Sequence, residues 1–167
     1  IIAEPRTICY NGPVREETPS VDLRDWPVLQ CWPEDAGRFI TLPLVITRDP
    51  ETGDVNVGMY RMQAHSLAET GMHIQIQRGA GVHLHKAEAA GAALPCAVAL
   101  GGDPAYILAA IAPLPEGVDE LTFAGFLRGR PGPTLESALG TPYPANADFV
   151  MEGVIPNGLR KMEGPFG

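Results

Sequence analysis

Apolar positions in this chain fall into short runs cut by proline and glycine, and the clearest run is Arg38-Phe39-Ile40-Thr41-Leu42-Pro43-Leu44-Val45-Ile46-Thr47. Its β-branched and apolar residues predict a strand. The next seven residues, Arg48-Asp49-Pro50-Glu51-Thr52-Gly53-Asp54, predict a turn: Asp49-Pro50 opens it and Gly53 tolerates a positive φ. Val55 to Met62 resumes strand character, so the segment predicts a β-hairpin. On an ideal second strand Asn56 and Arg61 point to opposite faces, and a bulge at Gly58 would bring both to one pocket. The competing reading is an edge strand with an ordinary Asn and a solvated Arg.

The same patterning predicts a strand over Met72 to Gln77, an alanine-rich helix over Val82 to Ala93 ending near Gly91, and a short buried strand over Pro95 to Leu100. Asp103-Pro104 predicts a helix start, because Asp caps free amides and Pro suits the first helical position. Ile107, Leu108 and Ile111 are its expected apolar face. A third helix is expected from near Val118, with Phe123 and Leu127 one turn apart and Gly129 to Pro133 breaking it. Pro144 to Val154 then predicts a strand. Residues 1–35 form an irregular Pro-rich lead-in, with one short helical turn in Val21 to Pro27 followed by an extended stretch, and with Trp26 and Trp32 as packing anchors. Strands mixed with short helices predict an α+β domain.

Composition narrows this picture only a little. The chain has 167 residues and 45% hydrophobic content, enough for one core. Three widely spaced cysteines, Cys9, Cys31 and Cys96, predict reduced thiols and no cysteine zinc site. No membrane-length apolar run or signal-peptide pattern is present, so a soluble, cytoplasmic protein is expected. Twelve basic against twenty acidic residues give a net charge of −8, which disfavours nucleic acid and anionic membrane as partners.

Candidate chemistry gathers at Glu163-Gly164-Pro165-Phe166-Gly167, where a tight turn aims a carboxylate from a loop. An isolated Glu-Gly-Pro is ordinarily a surface turn with a solvated acid. His83 and His85 lie two apart on the expected helix and face different ways, so they are read as surface histidines rather than a ligand pair. His65 and His73 have no assigned role.

Five ordered segments change the weight of these signals. Asn56-Val57-Gly58-Met59-Tyr60-Arg61, Leu100-Gly101-Gly102-Asp103-Pro104, Pro113-Leu114-Pro115-Glu116-Gly117-Val118, Phe123-Ala124-Gly125-Phe126-Leu127-Arg128-Gly129 and Glu163-Gly164-Pro165-Phe166-Gly167 resemble, in sequence and spacing, the UbiD-type decarboxylases (3-octaprenyl-4-hydroxybenzoate carboxy-lyases). The resemblance runs from about Val21 to the last residue. It implies a prenylated-FMN-binding split β-barrel, flavin-reductase-like with flanking short helices, over residues 36–167, as a fragment of a longer chain. The implied activity is decarboxylation, or reversible carboxylation, of an aromatic or α,β-unsaturated carboxylic acid. A non-catalytic flavin-binding or assembly subunit, and a plain split-barrel interaction domain, are the alternatives.

The resemblance also implies roles for particular residues. Arg61 would orient the substrate carboxylate, a task suited to a planar two-pronged donor, and Glu163 would be its hydrogen-bonded partner. The family's second acid falls five residues after this glutamate, one position past Gly167, so this chain alone is expected to be inactive. Held near a flavin and an apolar substrate, Glu163 would have its pKa raised by desolvation and lowered by Arg61, and is expected there to exchange protons near neutral pH. Asn56, Gly58, Met59, Tyr60, Arg61, Gln77, Pro113 and Glu120 would line the cofactor. Asn56 and Glu120 would hold a divalent metal, manganese ahead of magnesium, beside the flavin phosphate, with potassium nearby. By register the family's histidine ligand falls at Gln77 or its neighbour Arg78, so this sequence lacks it; a glutamine amide oxygen ligates a hard cation more weakly than a charged ligand does and without imidazole's softer preference. A flavin prenyltransferase would supply the cofactor, and the parent enzyme would be a homo-oligomer.

Overall fold

The computed structural model describes residues 6–8, 22–115 and 117–167; Cys9, Val21 and Glu116 lie outside them. Ten strands and three helices are described: β1 (Arg6–Ile8), β2 (Phe39–Ile40), β3 (Leu44–Arg48), β4 (Val55–Met59), β5 (Met62–Ala64), β6 (Thr70–Met72), α1 (Gly79–Ala89), β7 (Leu94–Leu100), α2 (Pro104–Ile111), α3 (Glu120–Arg128), β8 (Gly132–Glu136), β9 (Pro142–Pro144) and β10 (Phe149–Ile155). They form a central antiparallel sheet in the order β10-β7-β3-β4 and two three-stranded sheets, β1-β8-β9 and β2-β5-β6. The α+β class is therefore borne out. No closed barrel forms among the described residues. The lead-in contains β1, paired parallel to β8.

Both faces of the central sheet are covered, which explains why β3 and β7 read as nearly continuous apolar runs. Leu44, Ile46, Ala97 and Ala99 face α2, α3 and the β8-β9 pair, meeting Tyr106, Ala109, Leu121, Ala124, Leu135 and Tyr143. Val45 and Val98 face the other way, into a cluster with Ile40, Tyr60, Met62 and Ala80. On that second face Thr47 Oγ1 lies 2.9 Å from Nδ1 of His83 on α1. His83 is thus buried and hydrogen-bonded, not the surface residue expected. Burying each large aliphatic side chain of these layers contributes about 1.5–3 kcal/mol.

The predicted hairpin forms between β3 and β4. Asp49 Oδ1 accepts from the amides of Glu51 and Thr52, and Gly53 adopts φ +80°. The ladder stays in register through Gly58, opposite Val45, so no bulge occurs there. Gly58 is needed for packing instead: a Cβ on it would sit 2.4 Å from Cε2 of Tyr60. What redirects the chain is a change of sheet, because β4 ends at Met59 and β5, beginning at Met62, pairs with β2. Tyr60 and Arg61 occupy the crossing.

Other expectations need correction. The strand expected over 72–77 is confined to β6, ending at Met72, and the one expected over 144–154 is split into β9 and β10. The alanine-rich helix starts three residues early, at Gly79. Helix α2 is capped by Asp103, whose side chain accepts from the Ala105 amide, but it buries Tyr106 and Ala109 while Leu108 and Ile111 are exposed. Helix α3 starts at an Asp119 cap and buries Leu121, Ala124 and Gly125, leaving Leu127 exposed. Trp26 packs on Phe149 with ring centroids 5.1 Å apart, whereas Trp32 is 61% exposed. No helix among the described residues is long and apolar enough to cross a membrane.

Candidate functional site

The site is assembled by two stretches that carry no regular structure of their own. One is the Tyr60-Arg61 crossing between sheets. The other is the strap 156–167, which has neither helix nor strand and is held down by side chains along its length. Arg160 bonds Glu88 at 3.0 Å, Lys161 bonds Glu69 at 2.9 Å, and the Gly164 amide donates to Gln63 Oε1 at 2.9 Å. The Ala36 amide donates to the Pro165 carbonyl and the Gly167 amide to Asp35 Oδ1, both at 2.9 Å. Phe166 packs on Phe39 with centroids 4.7 Å apart. Glu163 is thereby fixed in the middle of a multiply anchored segment.

Arg61 and Glu163 meet as a two-pronged pair: Nε donates to Oε1 and Nη2 to Oε2, each at 2.9 Å. The guanidinium carbon lies 5.2 Å from the Phe166 ring centroid, within cation–π range. The Arg61 side chain is 31% exposed and that of Glu163 10%. His73 Nδ1 lies 3.4 Å from Glu163 Oε2, and its amide donates to the Arg61 carbonyl at 3.1 Å. The hydrogen bonds from Arg61 hold the Glu163 carboxyl below its ordinary range despite burial, which acts the other way. Without flavin or substrate beside it, the Arg61 contribution outweighs burial at Glu163.

A second group forms along β4, the edge strand of the central sheet. Its outward Val57 amide, unpaired in the ladder, donates to Glu120 Oε2 at 2.9 Å. Burial raises the Glu120 pKa, opposed by that amide. The adjacent Asn56 places Nδ2 3.5 Å from the Tyr60 hydroxyl, which also accepts from the Ala80 amide in the first turn of α1 at 3.3 Å. Gly79 makes room for Asn56, since a Cβ there would sit 1.9 Å from Asn56 Oδ1. Asn56, Tyr60 and the start of α1 are thus in contact, with Glu120 on the neighbouring residue's amide.

Gly58 is buried and Met59 half-buried on the same strand, while Gln77 and Pro113 are exposed, in the turn before α1 and after α2 respectively. No cluster of three or more His, Cys, Asp or Glu suited to a metal is found among the described residues. An amide oxygen at Asn56 and a desolvated carboxylate at Glu120 are the donor types a hard cation takes, so these two fit part of such a shell. Sequence reasoning misses His73, as it does the anchoring roles of Gln63 and Asp35; a lone histidine in an expected strand offers no local signal.

Comparison with known proteins gives a consistent picture. The sequence profile of the UbiD 3-octaprenyl-4-hydroxybenzoate carboxy-lyase Rift-related domain matches residues 7–167. An uncharacterised protein of Archaeoglobus fulgidus is 47% identical over 154 residues, covering 91% of this chain and 32% of that protein. A 4-hydroxybenzoate decarboxylase component from Chlamydia pneumoniae is 47% identical over 150 residues, covering 89% and 26%. The chain therefore spans about a third or less of these relatives. Among solved structures, the closed form of vanillic acid decarboxylase from Sedimentibacter hydroxybenzoicus superposes with TM-score 0.93 at 30% identity, covering 99% of this chain and 37% of that one. An evolved dimeric HmfF from Pelotomaculum thermopropionicum, a UbiD-class enzyme in complex with prFMN, superposes with TM-score 0.84 at 38% identity, covering 88% and 35%.

Proposed function

The chain belongs to the UbiD carboxy-lyase family, and from that premise we propose that it forms the prenylated-FMN-binding part, and part of the catalytic site, of a decarboxylase acting on an aromatic or α,β-unsaturated carboxylic acid. The observation that carries this reading is the Arg61–Glu163 pair. Glu163 occupies Nε and one Nη2 hydrogen, while Nη1 makes no hydrogen bond to any described residue. One edge of the guanidinium is thus fixed and the other remains for a second carboxylate, which a planar fork binds through two parallel bonds.

Arg61 then binds and orients the substrate carboxylate, and Glu163 keeps the guanidinium from rotating. Phe39 and Phe166 supply an apolar wall that excludes water from one side of the ion pair. A bound flavin would supply the electron sink that loss of CO2 requires, a capacity that none of these side chains has. Asn56, Tyr60 and Glu120 would line the cofactor end, with Asn56 and Glu120 as oxygen ligands of a divalent ion and Gln77 as the weaker donor in the position of the family's histidine. The split-barrel arrangement of the three sheets, the homo-oligomeric parent and cofactor supply by a flavin prenyltransferase belong to the same proposal.

The test is CO2 release by the full-length protein loaded with prenylated FMN. Arg61→Lys keeps the charge and loses the fork, so activity should fall by about 100-fold while flavin is retained. Unchanged turnover in Arg61→Ala would remove the arginine from the site.

A further inference from the structure

Glu163 neutralises Arg61 before any substrate arrives, since both carboxylate oxygens sit on the guanidinium at 2.9 Å. A substrate carboxylate at Nη1 would leave two anions on one cation, and the carboxylate of Asp35 adds to the negative field at Arg61. Partly desolvated, such an arrangement is unfavourable unless a second positive charge appears. Lys161 cannot supply it without abandoning Glu69, which it bonds at 2.9 Å. Glu163 enters the encounter ionised, because the Arg61 hydrogen bonds hold its carboxyl below the ordinary range.

Among the described residues, two histidines lie beside Glu163. His65 Nε2 is buried without a hydrogen-bond partner and abuts Gly71, as does the Glu163 side chain. His73 is better placed: Nδ1 is 3.4 Å from Glu163 Oε2, and its side chain is 51% exposed, so a proton reaches it from solvent. Resting on the reading of Arg61 as a carboxylate site, we propose that His73 is a positioning residue that takes up a proton as the substrate carboxylate binds. The resulting imidazolium holds Glu163 Oε2 and restores charge balance while the guanidinium engages its second anion. Carboxylate binding to this site is then proton-coupled, and its pH dependence is written in His73 rather than in Glu163.

The experiment is calorimetric titration of the full-length, flavin-loaded protein with benzoate as the probe, in pairs of buffers that differ in ionisation enthalpy. Wild type should take up a fraction of a proton approaching one per benzoate between pH 6 and 8, the range in which imidazoles change charge, with affinity falling by up to about tenfold per pH unit on the alkaline side. His73→Asn and His73→Gln should bind benzoate with no proton uptake, at a pH-independent affinity near that of alkaline wild type. His65→Asn should retain the uptake. Uptake that persists in the His73 variants, that is lost in His65→Asn instead, or that is absent from wild type overturns the proposal. Benzoate affinity unchanged in Arg61→Lys, or no benzoate binding to wild type, overturns instead the carboxylate site on which it rests.

Discussion

Replacing Gly79 by alanine isolates the contact that holds Asn56 in place. Gly79 opens α1 with nothing unusual in its backbone, so the substitution acts through space alone. The new Cβ would lie 1.9 Å from Asn56 Oδ1 and 2.5 Å from Cγ, roughly 1.5 Å inside ordinary contact with the oxygen. Neither α1 nor the edge strand can move that far cheaply, so the Asn56 amide must swing away from the Tyr60 hydroxyl. Overpacking of this kind costs about 1–3 kcal/mol, and alanine's helix propensity returns at most about 1 kcal/mol at this terminal position. A net loss of about 1 kcal/mol is expected in denaturant unfolding, with flavin bound about tenfold more weakly in a fluorescence titration. Combining the change with Asn56→Ala removes the contacts with Oδ1 and Cγ and leaves Asn56 Cβ at 3.2 Å, so the double variant should lose less than the two single changes summed, a favourable coupling of about 1 kcal/mol. Gly153→Ala, whose Cβ would meet nothing within 4 Å, serves as the control. Gly79→Ala with unchanged stability and flavin affinity, or coupling below about 0.3 kcal/mol, would refute the reasoning.

Two further outcomes follow from buried groups. Burial lowers the His83 pKa from 6.5, outweighing the nearby Asp49 carboxylate, so the folded state favours neutral imidazole. Its stabilising contribution is intact above about pH 6.5 and is lost as pH falls below it; the melting midpoint of wild type should drop in that window while that of His83→Gln stays flatter, and parallel curves would contradict this. Burial also pushes the Cys96 thiol up to about 11, whereas Cys31 is exposed. Iodoacetamide near pH 8 should therefore label Cys31 and spare Cys96, as read by peptide mass spectrometry; equal labelling rates would show that the core at β7 opens readily.

What can be read from the sequence is chemistry confined to a few neighbouring residues. Asp49 and Gly53 shape the hairpin turn, and Asp103-Pro104 starts α2. The faces of α2 and α3 escape such reading because large apolar side chains are expected inside, whereas the close approach of these helices to the central sheet favours Ala109, Ala124 and Gly125. The exit at Tyr60-Arg61 resembles a bulge, because a glycine in a strand signals both a bulge and a ring lying on the backbone. His83 and His73 are unreadable for the same reason: their partners, Thr47 and Glu163, come from distant parts of the chain. Arg61 and Glu163 are found through resemblance to a family, since nothing local links them.

The separation of that pair has a consequence for the order in which the protein is made. Arg61 and Glu163 are 102 positions apart, and chains emerge from the ribosome N-terminal end first at roughly 5–20 residues per second. For several seconds the hairpin, the crossing and α1 exist while Arg61 has no partner carboxylate, and the anchors Asp35, Gln63, Glu69 and Glu88 wait for the strap. A nascent chain therefore carries Asn56 and its surroundings before Arg61 meets Glu163. The strap acts as a late stitch, so that the Arg61–Glu163 pair closes only after the segments it ties together have emerged.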